Sequence, residues 1–334
     1  MNETLYQAVG QRLLNAGRIL VISHIRPDGD AVGSLLGLGL SLQAAGKDVQ
    51  MLLEDGVPTS FRHLVGSNQV VKHPLGAFDV VITVDCSDMQ RAGSSLNGYM
   101  PPQVNIDHHV TNDNFAELNL VIPEAVATSA ILAEYIPLWN LPFNLPVAEA
   151  LLTGILSDSL GFRTSNMNPQ ALRLAASLME QGANLPDLYN KALSRRSFAA
   201  MRYWGVGLTR LQRRGNLIWT SLTLMDRKDV NYPGRDDADL INVLSQIEEG
   251  EVEVIFIEQG DNRVKVSWRA EPGFDVSGLA VSFGGGGHPA AAGAEITGTL
   301  EEVQSLVLEA TQELMDGMRF SNHAGNEHLN NVIQ

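Results

Sequence analysis

Three apolar runs, each ending in acids or histidines, constrain this chain more than any other feature. Residues 18–23 carry Ile19-Leu20-Val21-Ile22 and lead into Ser23-His24-Ile25-Arg26-Pro27-Asp28-Gly29-Asp30. Residues 80–85 read Val80-Val81-Ile82-Thr83-Val84-Asp85, and residues 103–107 lead into Asp107-His108-His109. Runs with so little polar alternation are strands buried on both faces, the habit of parallel sheets. A further strand is expected at 49–53. Between the runs lie helical patterns. In 31–45, Leu35, Leu38 and Leu42 fall at i, i+3 and i+7 before Gly46, and 128–137, 146–157 and 169–181 read as further helices. The expectation is an α/β fold with a parallel-sheet N-terminal domain covered on both faces. Ligands of such sheets bind outside the carboxyl ends of the strands. Three polar clusters therefore converge on one sheet edge, and Asp158, just past the 146–157 helix, is a fourth contributor. Taken singly, an acid at a strand end is more often a turn former or a cap, and Asp30 could simply cap the 31–45 helix. Convergence is what favours function.

The chain changes character after residue 190. Lys191, Arg195, Arg196, Arg202, Arg210, Arg213 and Arg214 lie in 191–214 with no Asp or Glu, and Met201, Trp204, Leu208 and Leu211 form a helical stripe. This stretch reads as a connector whose basic face is solvated; the alternative is a cleft lining that attracts phosphate. Strands follow at 217–224, 253–258 and 263–269, with helices at 237–247 and 301–318. The expected layout is a catalytic domain over 1–190, a helical connector over 191–215, a smaller α/β domain over 216–318 and a flexible tail over 319–334, with the active site in the cleft between the domains.

Composition narrows the class. With 334 residues, 44% hydrophobic and 18% charged, the chain can build two cores and is neither disordered nor fibrous. A lone cysteine, Cys86, excludes an internal disulfide framework and a thiolate metal cage. No apolar run reaches the ~18 residues of a membrane span. The nearest, 118–141, is broken by Glu124 and Glu134, and the N-terminal residues lack a signal-peptide core, so a cytoplasmic protein is expected. The net charge of −15 argues against a long, salt-driven footprint on a nucleic acid.

Four aspartates and two or three histidines cannot share one site without a counter-charge. Oxygen and imidazole donors without thiolate favour manganese, magnesium or a related divalent ion over structural zinc. Six or seven ligands are too many for one open catalytic ion. Two ions roughly 3.5–4 Å apart, sharing a bridging carboxylate, fit better.

The series His24-x-x-Pro27-Asp28-x-Asp30, Asp85, Asp107-His108-His109 and Asp158 resembles the motifs of the DHH phosphoesterase superfamily. Phe283-Gly284-Gly285-Gly286-Gly287-His288-Pro289-Ala290-Ala291-Ala292-Gly293 is similar to the glycine-histidine signature of the DHH-associated C-terminal domain. The resemblance covers roughly residues 12–318 and is closest to the nano-RNase branch, bifunctional oligoribonucleases and pAp phosphatases. It implies that His24, Asp28 and Asp85 hold one ion and that Asp30, Asp85, His108 and Asp158 hold a second. Manganese is the first choice, with magnesium or cobalt as alternatives. It implies that His109 faces the scissile phosphate and that Asp107 orients the histidine pair, with the division of roles between His108 and His109 the least fixed. Arg91 and Ser129 match a phosphate-clamping arginine and a small hydroxyl of the family; a surface arginine and a helix cap are the plain alternatives.

Gly285, Gly286 and Gly287 offer backbone N–H groups to an anion, and His288 adds a donor. No Lys-Ser or Lys-Thr follows, so this is no P-loop. Arg269 is placed to hold a second phosphate or stack on a base. The resemblance implies a hydrolase of two-to-five-nucleotide RNAs and of 3′-phosphoadenosine 5′-phosphate, and a homodimer. The rival readings are an inorganic pyrophosphatase, a cyclic-dinucleotide phosphodiesterase and a non-catalytic nucleotide-binding module.

Overall fold

The computed structural model describes residues 3–330, with side chains described over 4–317. The chain divides into two units, Met1–Arg195 and Arg196–Gln334. In the first, α1 (Glu3–Asn15) precedes β1 (Arg18–Ile22), α2 (Gly29–Ala44), β2 (Asp48–Leu52), β3 (Val80–Val84), β4 (Val104–Asp107) and β5 (Leu118–Val121). Four helices follow: α3 (Thr128–Leu138), α4 (Leu145–Asp158), α5 (Pro169–Glu180) and α6 (Leu185–Tyr189). The strands pair in parallel in the order β2-β1-β3-β4-β5. The chain passes from β1 outward to β2, then returns to the other side of β1 with β3. The carboxyl ends of β1 and β3 therefore flank a topological switch point, where such sheets bind ligands.

All five residues of β3 are buried, as its unbroken apolar sequence requires. The two faces are covered differently. Ile19, Val21, Ile82, Val84 and Ile106 pack against the helices. On the opposite face Leu20, Ile22, Leu52 and Val81 pack against Phe78, Cys86, Ala92 and Leu96, which lie outside any helix. The strand β5 escapes the sequence pattern because Asn119 interrupts its apolar residues and it sits at the sheet edge.

Glycines on α2 let α4 approach closely. A Cβ on Gly33 would lie 2.6 Å from the Ala150 carbonyl oxygen and 2.8 Å from the Gly154 nitrogen, and one on Gly37 would meet Leu151. The Gly37-x-Gly39 pair thus serves packing. The close approach brings the end of α4, with Asp158, beside the start of α2.

The second unit holds α7 (Phe198–Thr209), β6 (Gln212–Arg214), β7 (Leu217–Leu222), α8 (Leu224–Asp229), α9 (Ile241–Leu244), β8 (Val252–Gln259), β9 (Arg263–Ala270), α10 (Val276–Ser282), β10 (Gly286–His288), β11 (Ala291–Thr297) and α11 (Leu300–Asn330). Its sheet runs β10-β11-β9-β8-β7-β6; β7 and β8 are parallel and the other pairs antiparallel. One face packs Val254, Val266 and Trp268 against α10 and α11. The other packs Leu222, Ile255 and Ile257 against Tyr203, Leu240 and Leu244.

Four expectations differ from the structure. The basic stretch is not a separate helical connector, because β6 continues it into the second sheet. The buried side of α7 is Ala200, Tyr203 and Gly207, whereas Met201, Leu208 and Leu211 are exposed. The helix expected over 237–247 shrinks to α9, because Ala238 and Asp239 adopt φ of 55° and 66°, outside the helical region. Finally, α11 runs through Asn330 into the stretch read as a tail, since no proline stops it; residues 331–334 lie outside the described residues. Among the described residues, no helix is long and apolar enough to cross a membrane.

Candidate metal centre and nucleotide-binding strand

Asp85 occupies the middle of the first unit's polar cluster. It follows β3 with a φ of 54° and is 2% exposed. A non-glycine residue held in the left-handed region is strained, and such strain collects at functional sites. Its Oδ2 lies 3.4 Å from His24 Nε2, and its Oδ1 lies 3.8 Å from His108 Nε2 and 3.1 Å from the donating Thr128 Oγ1.

Each histidine is oriented by its other nitrogen. His24 Nδ1 donates to the Ile25 carbonyl at 2.9 Å, and His108 Nδ1 donates to the Ala125 carbonyl at 3.2 Å. Both therefore turn Nε2 toward the carboxylates, as metal-binding imidazoles do. His109 differs. Its Nδ1 donates to Asp107 Oδ1 at 2.8 Å, and Asp107 Oδ2 accepts from Asn112 Nδ2 at 2.6 Å. The bond between His109 and Asp107 is direct, so any contact of His109 with a substrate falls to Nε2. The side chain of His109 is 12% exposed, against 3% for His108.

Asp28 and Asp30 do two structural tasks besides. Asp28 caps α2 by accepting from the Asp30 and Ala31 N–H groups. Asp30 caps α3 rather than its own helix. Its Oδ2 takes the Thr128 N–H at 2.6 Å and its Oδ1 the Ser129 N–H at 2.9 Å. Ser129 itself is fully buried, with its hydroxyl 2.9 Å from that of Ser34, so the structure places it as a support for Asp30. Asp158 Oδ2 lies 3.5 Å from His108 Nε2. Arg91 is half-buried; its carbonyl accepts the Ile25 N–H at 2.8 Å and its charge opposes protonation of His24.

The electrostatics show too many acids for the available cations. Burial raises Asp30 to about 7, with Asp85 adding to the push. Burial and the neighbouring Asp30, Asp28 and Asp85 hold Asp158 well above the usual carboxylate range. Burial acts the same way on Asp85, but the adjacent His24 imidazole and the charges of His109 and His108 overturn it and hold Asp85 well below that range. Burial opposes charging of His24, His108 and His109, yet the surrounding carboxylates raise all three. Cys86 takes no part: burial pushes its thiol up to about 12, and it donates to the Asp88 carbonyl.

The donor set fits divalent cations. His24 Nε2 is buried without a hydrogen bond, although Asp85 and Asp28 oxygens lie 3.4 and 3.8 Å away. Donors around one ion at ~2.1 Å sit ~3 to ~4 Å apart, so these spacings suit a shared cation better than a direct bond. One atom from each of His24, Asp28 and Asp85 lies within 4.8 Å of the others, and the same holds for Asp30, Asp85 and His108. Asp85 belongs to both groups.

In the second unit, register aligns Arg269 of β9 and His288 of β10 with the same residue of β11, Ala291. Both side chains therefore share a sheet face, two strands apart. The glycine run is largely an edge strand. A Cβ on Gly285 would lie 2.1 Å from the Gly293 carbonyl oxygen, and one on Gly287, with φ of 145°, would lie 2.5 Å from that of Ala291. Those two glycines are required by β11, while Gly286 faces open space. Arg269 is largely desolvated, which lowers its pKa; it donates from Nε to Asn242 Oδ1 at 3.1 Å and from an NH1 to the Trp268 carbonyl at 3.0 Å.

Sequence reasoning missed Asn112, Thr128 and the Ala125 carbonyl as supports. Thr128 was visible only as a helix start, and Asn112 carries no signal beyond following His109.

Known proteins match this layout. The model of the DHH family, N-terminal domain, matches residues 18–155, and that of the DHHA1 domain matches 229–316. The bifunctional oligoribonuclease and PAP phosphatase NrnA of Thermus thermophilus is 34% identical over 304 residues, 89% of this chain and 90% of that protein. The protein of the same name from Bacillus subtilis is 25% identical, covering 83% and 89%. In fold, an exopolyphosphatase-related protein from Bacteroides fragilis superposes with a TM-score of 0.85 at 23% identity, covering 95% of this chain and 98% of that one. RecJ of Thermus thermophilus in complex with Mn2+ gives 0.53 at 16% identity, covering 92% of this chain and 54% of that one. The chain belongs to the DHH family, with a DHHA1 domain following its DHH domain, and so to the hydrolases of phosphoester bonds.

Proposed function

We propose that this chain hydrolyses short oligoribonucleotides to mononucleotides and removes the 3′-phosphate of 3′-phosphoadenosine 5′-phosphate, using two divalent ions with manganese as the first choice. The observation that carries this reading is Asp85, common to the ligand-spaced clusters of His24 with Asp28, of Asp30 with His108 and of Asp107 with His109. His24, Asp28 and Asp85 would hold one ion; Asp30, Asp85, His108 and Asp158 would hold the other. When bound, such a pair lowers the pKa of a water and neutralises charge on phosphate oxygens.

The remaining chemistry belongs to the chain itself. Asp107 fixes Nδ1 of His109, so His109 meets the scissile phosphate through Nε2, as donor to an oxygen that gains charge. Arg91 clamps a phosphate from the side of His24. Arg269, His288 and the backbone of Gly286 and Gly287 recognise the nucleotide, which a substrate as small as pyrophosphate would not need; the Gly285 N–H instead donates to the Ala280 carbonyl at 2.8 Å. The net charge of −15 supports short substrates over a polymer footprint. A cytoplasmic homodimer completes the reading.

The test is product analysis of end-labelled RNAs of two to ten nucleotides with manganese, beside 3′-phosphoadenosine 5′-phosphate, pyrophosphate and a cyclic dinucleotide. The reading expects mononucleotides from the shortest RNAs and release of the 3′-phosphate. Turnover of pyrophosphate or the cyclic dinucleotide alone would overturn it.

A further inference from the structure

Two consecutive non-glycine residues of the second unit, Ala238 and Asp239, sit in the left-handed region with φ of 55° and 66°. L side chains avoid that region, so the turn needs external support. It receives it from the basic stretch before the sheet. Arg196 Nε donates to the Ala238 carbonyl at 3.3 Å, and its NH2 pairs with Asp239 Oδ2 at 2.5 Å. Trp204 Nε1 donates to the same Ala238 carbonyl at 2.9 Å. The Arg196 guanidinium lies 6.0 Å from the centroid of a Trp204 ring, and its side chain is 13% exposed.

The residues just beyond the turn explain why it is held. Asp237 Oδ2 accepts the Ile241 N–H at 2.7 Å, and the Asp239 carbonyl accepts the Asn242 N–H at 3.1 Å. Asn242 then presents Oδ1 to Arg269 Nε. Among the described residues, no carboxylate oxygen lies within 4.0 Å of the Arg269 guanidinium. Its direction is thus set by an amide and a carbonyl, and the carboxylates of Asp237, Asp239 and Glu253 act on its charge from beyond contact distance.

The geometry points to Arg196 as a positioning residue that, with Trp204, holds the 237–242 turn so that Asn242 aims Arg269 at a substrate phosphate. The inference rests on Arg269 being a substrate contact. Two residues of the basic stretch then act inside the second unit, beneath the substrate arginine.

The experiment is a double-mutant cycle on the full chain loaded with manganese, with 3′-phosphoadenosine 5′-phosphate as substrate. Arg269→Ala is expected to raise KM about 10- to 100-fold, the loss of a charge-assisted contact. Arg196→Ala should raise KM about tenfold with kcat nearly unchanged, and the double variant should be no worse than Arg269→Ala alone. Trp204→Phe keeps a ring beneath Arg196 but loses the donor to Ala238; a smaller rise of KM is expected, and this variant carries the test if Arg196→Ala fails to fold. Unchanged KM in Arg269→Ala would overturn the substrate reading itself. A raised KM there, with wild-type KM in Arg196→Ala and Trp204→Phe, would overturn the positioning role. So would single effects that multiply in the double variant.

Discussion

Replacing Asp107 by Asn tests the division of labour between the two adjacent histidines. Asp107 is fully buried and accepts two hydrogen bonds, from His109 Nδ1 at 2.8 Å and from Asn112 Nδ2 at 2.6 Å. An asparagine is nearly isosteric but offers only one acceptor oxygen. If that oxygen faces His109, two NH2 groups confront each other at Asn112. If it faces Asn112, the amide donates to His109 Nδ1 and forces the other tautomer. In either case one charge-assisted bond is lost, worth about 1.5–3 kcal/mol. That is a loss of roughly 10- to 150-fold in rate if the bond matters only to turnover. Steady-state kinetics on 3′-phosphoadenosine 5′-phosphate at saturating manganese should show this loss in kcat, with KM and metal stoichiometry unchanged. A wild-type kcat would refute the assignment of Asp107 as the orienting group. Loss of a bound ion would show that Asp107 or His109 is instead a ligand.

Other outcomes follow from the packing. Gly154→Ala would put a Cβ 1.9 Å from Ser129 Oγ and 2.8 Å from Asp30 Oδ1, so both stability and manganese affinity should fall; unfolding and metal titrations at wild-type levels would contradict the role of Ser129 beneath Asp30. Glu253 is 3% exposed, and burial, with Glu271 adding, raises its carboxyl to about 7 from 4.5. Because the folded state holds that proton more tightly, stability falls as pH rises from the unfolded value through about 7. Glu253→Gln should therefore gain about 2 kcal/mol more over wild type at pH 8.5 than at pH 5.5 in urea unfolding followed by tryptophan fluorescence; an equal difference at both pH values would refute the buried-carboxyl account. Gly287→Ala forces a Cβ to 2.5 Å from the Ala291 carbonyl at a φ of 145°, so KM should rise with kcat preserved, and an unaltered KM would remove the glycine strand from substrate recognition.

The parallel sheet and its active edge were legible because buried parallel strands leave little room for polar residues. Val80–Val84 with Asp85 behind it has few other interpretations. Most of the candidate ligand positions were legible for the same reason: they stand where each apolar run stops. What escaped depends on contacts made at long range. The bond of Asp30 to the start of α3 spans 98 residues, and nothing local distinguishes it from a cap on α2. The edge strand β5 hides behind Asn119. Glycine misled in one place, since a backbone that must approach a ligand and a backbone that must approach a neighbouring strand require the same residue. Gly285 and Gly287 turned out to need the second. The stripe of Met201, Trp204, Leu208 and Leu211 misled in part: Trp204 packs against the core, but Met201 and Leu208 lie on the exposed side of α7 and Leu211 lies beyond its end.

Counting manganese ions bound per chain tests the central claim most directly. Equilibrium dialysis with elemental analysis should give two ions for the wild type. For Asp85→Asn it should show both high-affinity ions lost or greatly weakened, because the one carboxylate common to both ligand groups is gone. A single ion in the wild type, or two tightly held ions in Asp85→Asn, would contradict the shared-carboxylate centre.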